Sequence, residues 1–174
     1  MIHDIVHRYP HFLEVVYDFT VWFVSLFRRW LKPGGVTERF FVWFERITKG
    51  PMFHCQMCGQ CVLHSTGMAC PMTCPKNLRN GPCGGVRSNG HCEVLPEMKC
   101  VWVQAWEGAR RMPTYGYELL MITPPHNWRL ANSSSWLNMM TGRDQEHPRG
   151  WVTNHDDALA LKPYFYATVE EGKS

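Results

Sequence analysis

The residues of this chain best equipped for chemistry are its cysteines. All eight fall between positions 55 and 100, at Cys55, Cys58, Cys61, Cys70, Cys74, Cys83, Cys92 and Cys100. Thiols at that density form disulfides, hold zinc or ligate iron–sulfur clusters. The compartment decides against the first. The N-terminal stretch MIHDIVHRYPHFLEVVYDF has an acid early, no basic region ahead of an apolar core and no small-residue cleavage site, so it does not read as a secretion signal. The expected compartment is the cytoplasm, where clustered cysteines bind metal rather than one another.

Spacing separates the remaining two. A zinc ion needs four donors converging on one point, which proteins usually supply as two separated pairs. A [4Fe-4S] cubane takes one thiolate at each of four irons, so three cysteines at intervals of three, as at Cys55, Cys58 and Cys61, can wrap one face of it. Eight cysteines make two complete sets. Cys70-Pro71 and Cys74-Pro75 repeat the Cys-Pro dipeptide that ends the bacterial ferredoxin run, but the gap from Cys61 to Cys70 is too long for that run, and the ferredoxin fold is not indicated. The expectation is two [4Fe-4S] clusters, with zinc as the alternative. One cluster is expected to take the triplet and a distant Cys100, the other Cys70, Cys74, Cys83 and Cys92.

A thiolate-bound cubane is anionic and needs backbone N–H groups and cations around it. The turn Asn80-Gly81-Pro82-Cys83-Gly84-Gly85 can present N–H groups, and Lys76, Arg79, Arg87 and Lys99 can supply charge. His54, His64 and His91 are expected beside the clusters as hydrogen-bonding neighbours rather than ligands. The glycines from Gly81 to Gly90 are no dinucleotide fingerprint, because cysteines interrupt them and no strand and helix flank them. No Ser/His/Asp or paired-carboxylate grouping is readable, so no residue is assigned a catalytic role. The chain is expected to move electrons or to hold structure.

The elements that must position these thiols divide the chain into a helical arm (1–50), a cysteine-rich domain (51–112) and an irregular, partner-wrapping tail (113–174). Residues 11–31 lack Pro and Gly, and their polar positions His11, Glu14, Asp18, Ser25 and Arg29 line one side of a helix. So narrow a polar seam predicts a mostly buried helix. Glu14 and Asp18 would each be costly inside a bilayer, which argues against a membrane span. Arg28 and Arg29 suit a helix C-terminus, and Pro33-Gly34-Gly35 stops the helix. A second helix is predicted from Thr37 to Thr48 with Phe40, Phe41, Trp43, Phe44 and Ile47 as its apolar face, the two forming a hairpin. A short helix over 100–112 would put Trp102 and Trp106 on one face as a lid. Beyond Pro113 no sustained period is visible. The fold class is therefore mainly α with an irregular metal-stabilised core.

Composition adds limits. A chain of 174 residues with 45% hydrophobic content suits one domain with extensions. Its net charge of +3 is scattered without runs, which gives no footprint for nucleic acid.

The line CQMCGQCVLHSTGMACPMTCPKNLRNGPCGG, followed by GHCEVLPEMKCVW, resembles the small cysteine-rich family associated with methylenetetrahydrofolate reductase, the MetV type, also found as a C-terminal extension domain. The likeness covers residues 53–106 and all eight cysteines. It implies a cytoplasmic accessory subunit of an oxidoreductase complex in folate one-carbon metabolism. Its partner would be a flavin-containing reductase subunit, with the flavin held by that partner alone and a ferredoxin or similar protein as electron donor. By that resemblance the eight cysteines are the cluster ligands. The competing expectation is a zinc-stapled interaction subunit with no redox role.

Overall fold

The computed structural model describes residues 9–27 and 33–171, the last two as backbone only. Among them are five α-helices, several short 3-10 turns and no strand. The helices are α1 (Pro10–Leu26), α2 (Val36–Phe53), α3 (Val101–Ala109), α4 (Ser135–Thr141) and α5 (His155–Glu171). The mainly α expectation holds. The end of the first predicted helix, with Arg28 and Arg29, lies outside the described residues.

The first two helices form where the sequence places them but face the other way. In α1 the side that docks is centred on Glu14, with Leu13, Tyr17 and Val24 packed beside it, while His11, Asp18 and Ser25 of the polar seam are exposed. Glu14 is buried, accepting from the Thr114 and Tyr115 backbone N–H groups at 3.0 and 2.7 Å, while Asp18 accepts from the Tyr115 hydroxyl at 2.6 Å. Phe12, Val15, Phe19, Trp22 and Phe23 are exposed. The expected buried helix is therefore corrected: a carboxylate that finds backbone donors can be buried stably, and here it fixes which face turns inward.

In α2 the same inversion recurs. Glu45 is 2% exposed, whereas Phe40, Trp43, Phe44 and Ile47 of the predicted apolar face stand in solvent; only Phe41 among them packs inward, beside Val24 and Leu137. The Glu45 carboxylate accepts from the Ser134 and Ser135 hydroxyls at 2.5 and 2.6 Å, from the Trp136 N–H at 3.2 Å and from Lys49 at 2.9 Å. The two helices pack little on each other, so the predicted hairpin is replaced by two arms, each anchored through its own glutamate.

The segment after residue 112 is not an irregular tail either. It holds α4 and α5 and returns along its own domain. Ser134 caps α4 by accepting from the Leu137 N–H. Phe165 and Val169 of α5 pack with Ala109 and Tyr117. The 3-10 turn Leu63–Thr66 ends at Gly67, which lies so close to α3 that a Cβ on it would overlap the Ala105 carbonyl and the Ala109 nitrogen, and a Cβ on Gly108 would overlap the Gly67 carbonyl. That contact seats α3 against the cysteine-rich segment. Trp102 is buried and donates its ring N–H to the Leu78 carbonyl, but Trp106 is 42% exposed and meets Phe165 edge-on, so the two do not form a common lid.

Burial pushes the Glu45 carboxyl up, but Lys49 and the two serine hydroxyls outweigh it and hold the pKa below its ordinary value. A carboxylate depressed in the folded chain stabilises it above the unfolded pKa, and that stabilisation is lost as pH falls through the folded one. Urea unfolding of the wild type should therefore weaken on acidification, and the fall should be shallower in Glu45→Gln. Glu45→Ala should cost about 3–5 kcal/mol at neutral pH; an unchanged urea midpoint would sink the anchoring role.

Candidate metal centres

The cysteine segment is shaped by chain direction rather than by regular structure. After α2 the backbone enters the left-handed region at His54, Met57 and Gly59. These reversals curl residues 54–59 so that Cys55 and Cys58 face the same side as Cys61. At Gly59 a Cβ would overlap the Leu130 carbonyl, so only glycine allows the C-terminal segment to lie this close.

That segment holds the loop by its backbone. Asn138 donates to the Gly59 carbonyl at 2.8 Å, the Asn132 N–H to the Met57 carbonyl at 2.8 Å, and His126 lies 3.0 Å from the Cys58 carbonyl. Gln60, itself buried, spans to the Asp144 carbonyl and the Asn127 N–H. None of these residues stands out in the sequence pattern. Asn132-Ser133-Ser134, which looks like a glycosylation triplet in a loop, instead contributes to the clasp on the first three cysteines and to the cap of α4.

The eight thiols fall into two sets of four. Cys55, Cys58, Cys61 and Cys70 line one small cavity, and Cys74, Cys83, Cys92 and Cys100 line another. This corrects the expected partition by exchanging Cys70 with Cys100. The reason is the 3-10 turn Pro71–Thr73, closed by Cys74 N–H donating to the Pro71 carbonyl at 3.0 Å. The turn sends the thiol before it to one cavity and the thiol after it to the other. Cys92 and Cys100 reach the second cavity from a narrow loop. Its ends are tied by Cys92 N–H to Met98 carbonyl and Cys100 N–H to Gly90 carbonyl bonds, both 2.9 Å.

All eight cysteines are free of disulfides and at least partly buried. Burial pushes the Cys55 thiol up to about 11 and the Cys70 thiol up to about 12, so both are protonated at neutral pH, and any metal they took would have to displace those protons. Backbone N–H groups reach sulfur from Met57, onto Cys55 at 3.4 Å, and from Met72, onto Cys70. These, rather than the glycine turn at 80–85, are the N–H donors the structure places on thiols.

Of the four expected cations only Arg79 is placed at a thiol, its guanidinium 4.0 Å from the Cys58 sulfur and 3.3 Å from the Gln60 carbonyl. Lys76 pairs with Glu93 and Lys99 with Glu107, and Arg87 donates to the Cys92 carbonyl. The histidines have other work. His91 bonds the Pro96 carbonyl at 2.7 Å, and His64 stacks on Tyr17 and meets Glu118 at 3.3 Å. Burial lowers His64 to about 4 and raises Glu118 to about 7, so between those values the contact joins two neutral groups and is not an ion pair.

Among the described residues no three His, Cys, Asp or Glu side chains converge where a single ion would sit. In each set the thiols line a cavity wall. Each lining also includes one carboxylate, Glu45 in the first cavity and Glu93 in the second, where the Cys83 thiol donates to Glu93 at 3.8 Å, yet four soft sulfur donors per cavity suit a group that takes one thiolate at each of four corners. No helix among the described residues is long and apolar enough to cross a membrane.

These features define a small, mainly helical, thiol-rich domain whose helices serve to hold two cysteine quartets. Residues 35–129, just over half of the chain and all eight cysteines, match the family described as methylene-tetrahydrofolate reductase C terminal, and the chain belongs to that family. The match leaves α1, α4 and α5 outside. No curated protein and no solved structure matches the chain.

The partition is testable without knowing the metal. In protein purified with its metal bound, Cys70→Ser and Cys100→Ser should each lose about half the metal, and the pair together nearly all. Cys55→Ser with Cys70→Ser should lose no more than either alone. Full additivity of that second pair would overturn the assignment.

Proposed function

We propose that the chain is an accessory electron-transfer subunit that carries two [4Fe-4S] clusters and serves a flavin-containing reductase of the methylenetetrahydrofolate type in the cytoplasm. The observation that supports it is the sorting of eight thiols into two all-sulfur quartets on either side of one 3-10 turn. At a rise of about 2 Å per residue, the backbone from Cys70 to Cys74 spans roughly 8 Å, short enough for two centres to exchange electrons. Family membership ties the chain to folate metabolism and supports a partner of that type.

In this reading Cys55, Cys58, Cys61 and Cys70 hold one cluster and Cys74, Cys83, Cys92 and Cys100 the other. Bound there, such clusters take up and release single electrons, with potentials tuned by burial and by hydrogen bonds to sulfur. The protein's own part is to position and tune. The N–H groups of Met57 and Met72 donate to sulfur, Arg79 places positive charge beside Cys58, and the 126–138 clasp holds the first loop in place. No residue is assigned to bond chemistry on the folate, which falls to the partner's flavin. A ferredoxin-like protein would supply the electrons.

Anaerobically purified protein should contain about eight iron and eight sulfide per chain, with a broad visible absorption that dithionite bleaches. Mixed with the reductase subunit, the reduced protein should reduce its flavin, and Cys70→Ser should slow that transfer without removing flavin from the partner. Zinc with a featureless visible spectrum would replace this reading with a structural staple.

A further inference from the structure

The four thiols of the second cavity are not held alike. Cys74, Cys92 and Cys100 each have their own backbone N–H tied, to the Pro71, Met98 and Gly90 carbonyls at 3.0, 2.9 and 2.9 Å. Among the described residues the Cys83 N–H has no such tie. Cys83 rides on the glycine turn at 80–85, where a Cβ at Gly81 or Gly84 would meet nothing within 4 Å. One corner of this quartet therefore comes from a stretch with open space on either side.

Beside that corner stands a fifth donor. Glu93 lines the same cavity, and its carboxylate accepts from the Cys83 thiol at 3.8 Å. Two donors on one tetrahedral metal, at about 2.3 Å for sulfur and about 2.1 Å for oxygen, lie roughly 3.6 Å apart. Either atom is thus placed to serve the same corner. The carboxylate sits in a niche over Gly85, where a Cβ would overlap it. Lys76 pairs with Glu93, but both side chains are more than a third exposed, and an ion pair so open to water is too weak to keep the carboxylate from a metal. The carboxylate of the first cavity has no such freedom. Glu45 is 2% exposed, and both its oxygens are engaged by Ser134, Ser135, Trp136 and Lys49.

We propose that Glu93 is an alternative ligand of the metal group in the second cavity, its carboxylate exchanging with the Cys83 thiolate at one corner. That the cavity holds a metal group rests on the reading under Proposed function. The exchange breaks one metal–sulfur bond and forms one metal–oxygen bond. One singly charged donor replaces another, and the freed thiolate takes a proton from water. Iron accepts oxygen and nitrogen donors as well as thiolate, so a carboxylate at a single corner is chemically sound. The two centres then differ in kind: the second has three fixed thiols and one exchangeable corner, and the first has no carboxylate free to compete.

The test reads metal and sulfide per chain, and the electron paramagnetic resonance spectrum of the reduced form, in full-length protein purified anaerobically. Cys92→Ala should lose about half the metal. Cys83→Ala should keep nearly all of it, with a changed spectrum for one centre only, because oxygen has replaced sulfur there. Cys83→Ala with Glu93→Gln should fall to the level of Cys92→Ala. So should Cys83→Ala with Gly85→Ala, which fills the niche and leaves Glu93 in the chain. Glu93→Gln alone, with Cys83 present, should keep wild-type metal. The proposal is overturned if Cys83→Ala loses as much metal as Cys92→Ala, or if adding Glu93→Gln to Cys83→Ala costs no further metal. A wild type loaded with zinc would end the electron relay, yet the same variants would still decide the ligand by metal content. A wild type that holds no metal overturns both.

Discussion

The carboxylate of Glu45 holds this architecture together. It is buried in α2, yet every one of its partners except Lys49 comes from the start of α4, roughly ninety positions later in the chain. A buried charge tolerates few alternatives: it must be met by donors or the segment must unfold. By demanding Ser134, Ser135 and Trp136, Glu45 sets where α4 begins. From there Asn138 reaches Gly59 and the clasp closes on the loop bearing the first three cysteines. Remove the carboxylate and the consequence is felt at the first four thiols, whose cavity Glu45 itself helps to line.

Glu14 plays the matching part for α1, with the Thr114 and Tyr115 N–H groups as its donors. The family match begins at residue 35 and so takes in Glu45 but neither Glu14 nor the Ser134 cap. The portion of the fold that completes the first quartet thus extends beyond the segment shared with the family. The second quartet is built differently. Its cysteines come from residues 74–100, fixed by short backbone turns and by α3, all inside the matched segment.

Much of this was readable from the residues. The existence of α1, α2 and α3 followed from period and breakers, and the crowding of the eight thiols into one segment was legible from their spacing. The burial of α1 and α2 was not, because an apolar face ordinarily turns inward and the donors that reverse this lie far away in sequence. Nothing around Glu14 or Glu45 announces Thr114 or Ser134. The partition of cysteines depended on a three-residue turn, Pro71–Thr73, whose direction decides which cavity each flanking thiol enters. The last two helices were hidden for local reasons. α4 has only seven residues, too few to show a period, though Ser134 three residues before Leu137 is a cap signal; α5 carries Pro163 inside it, which reads as a break.

The outward-facing rings of α1 and α2 also bear on the life of the chain in the cell. A protein that keeps this much aromatic surface in water is a substrate for chaperones and proteases whenever it is synthesised in excess of whatever covers it. Anything that buried those rings would lower that exposure and lengthen the life of the chain.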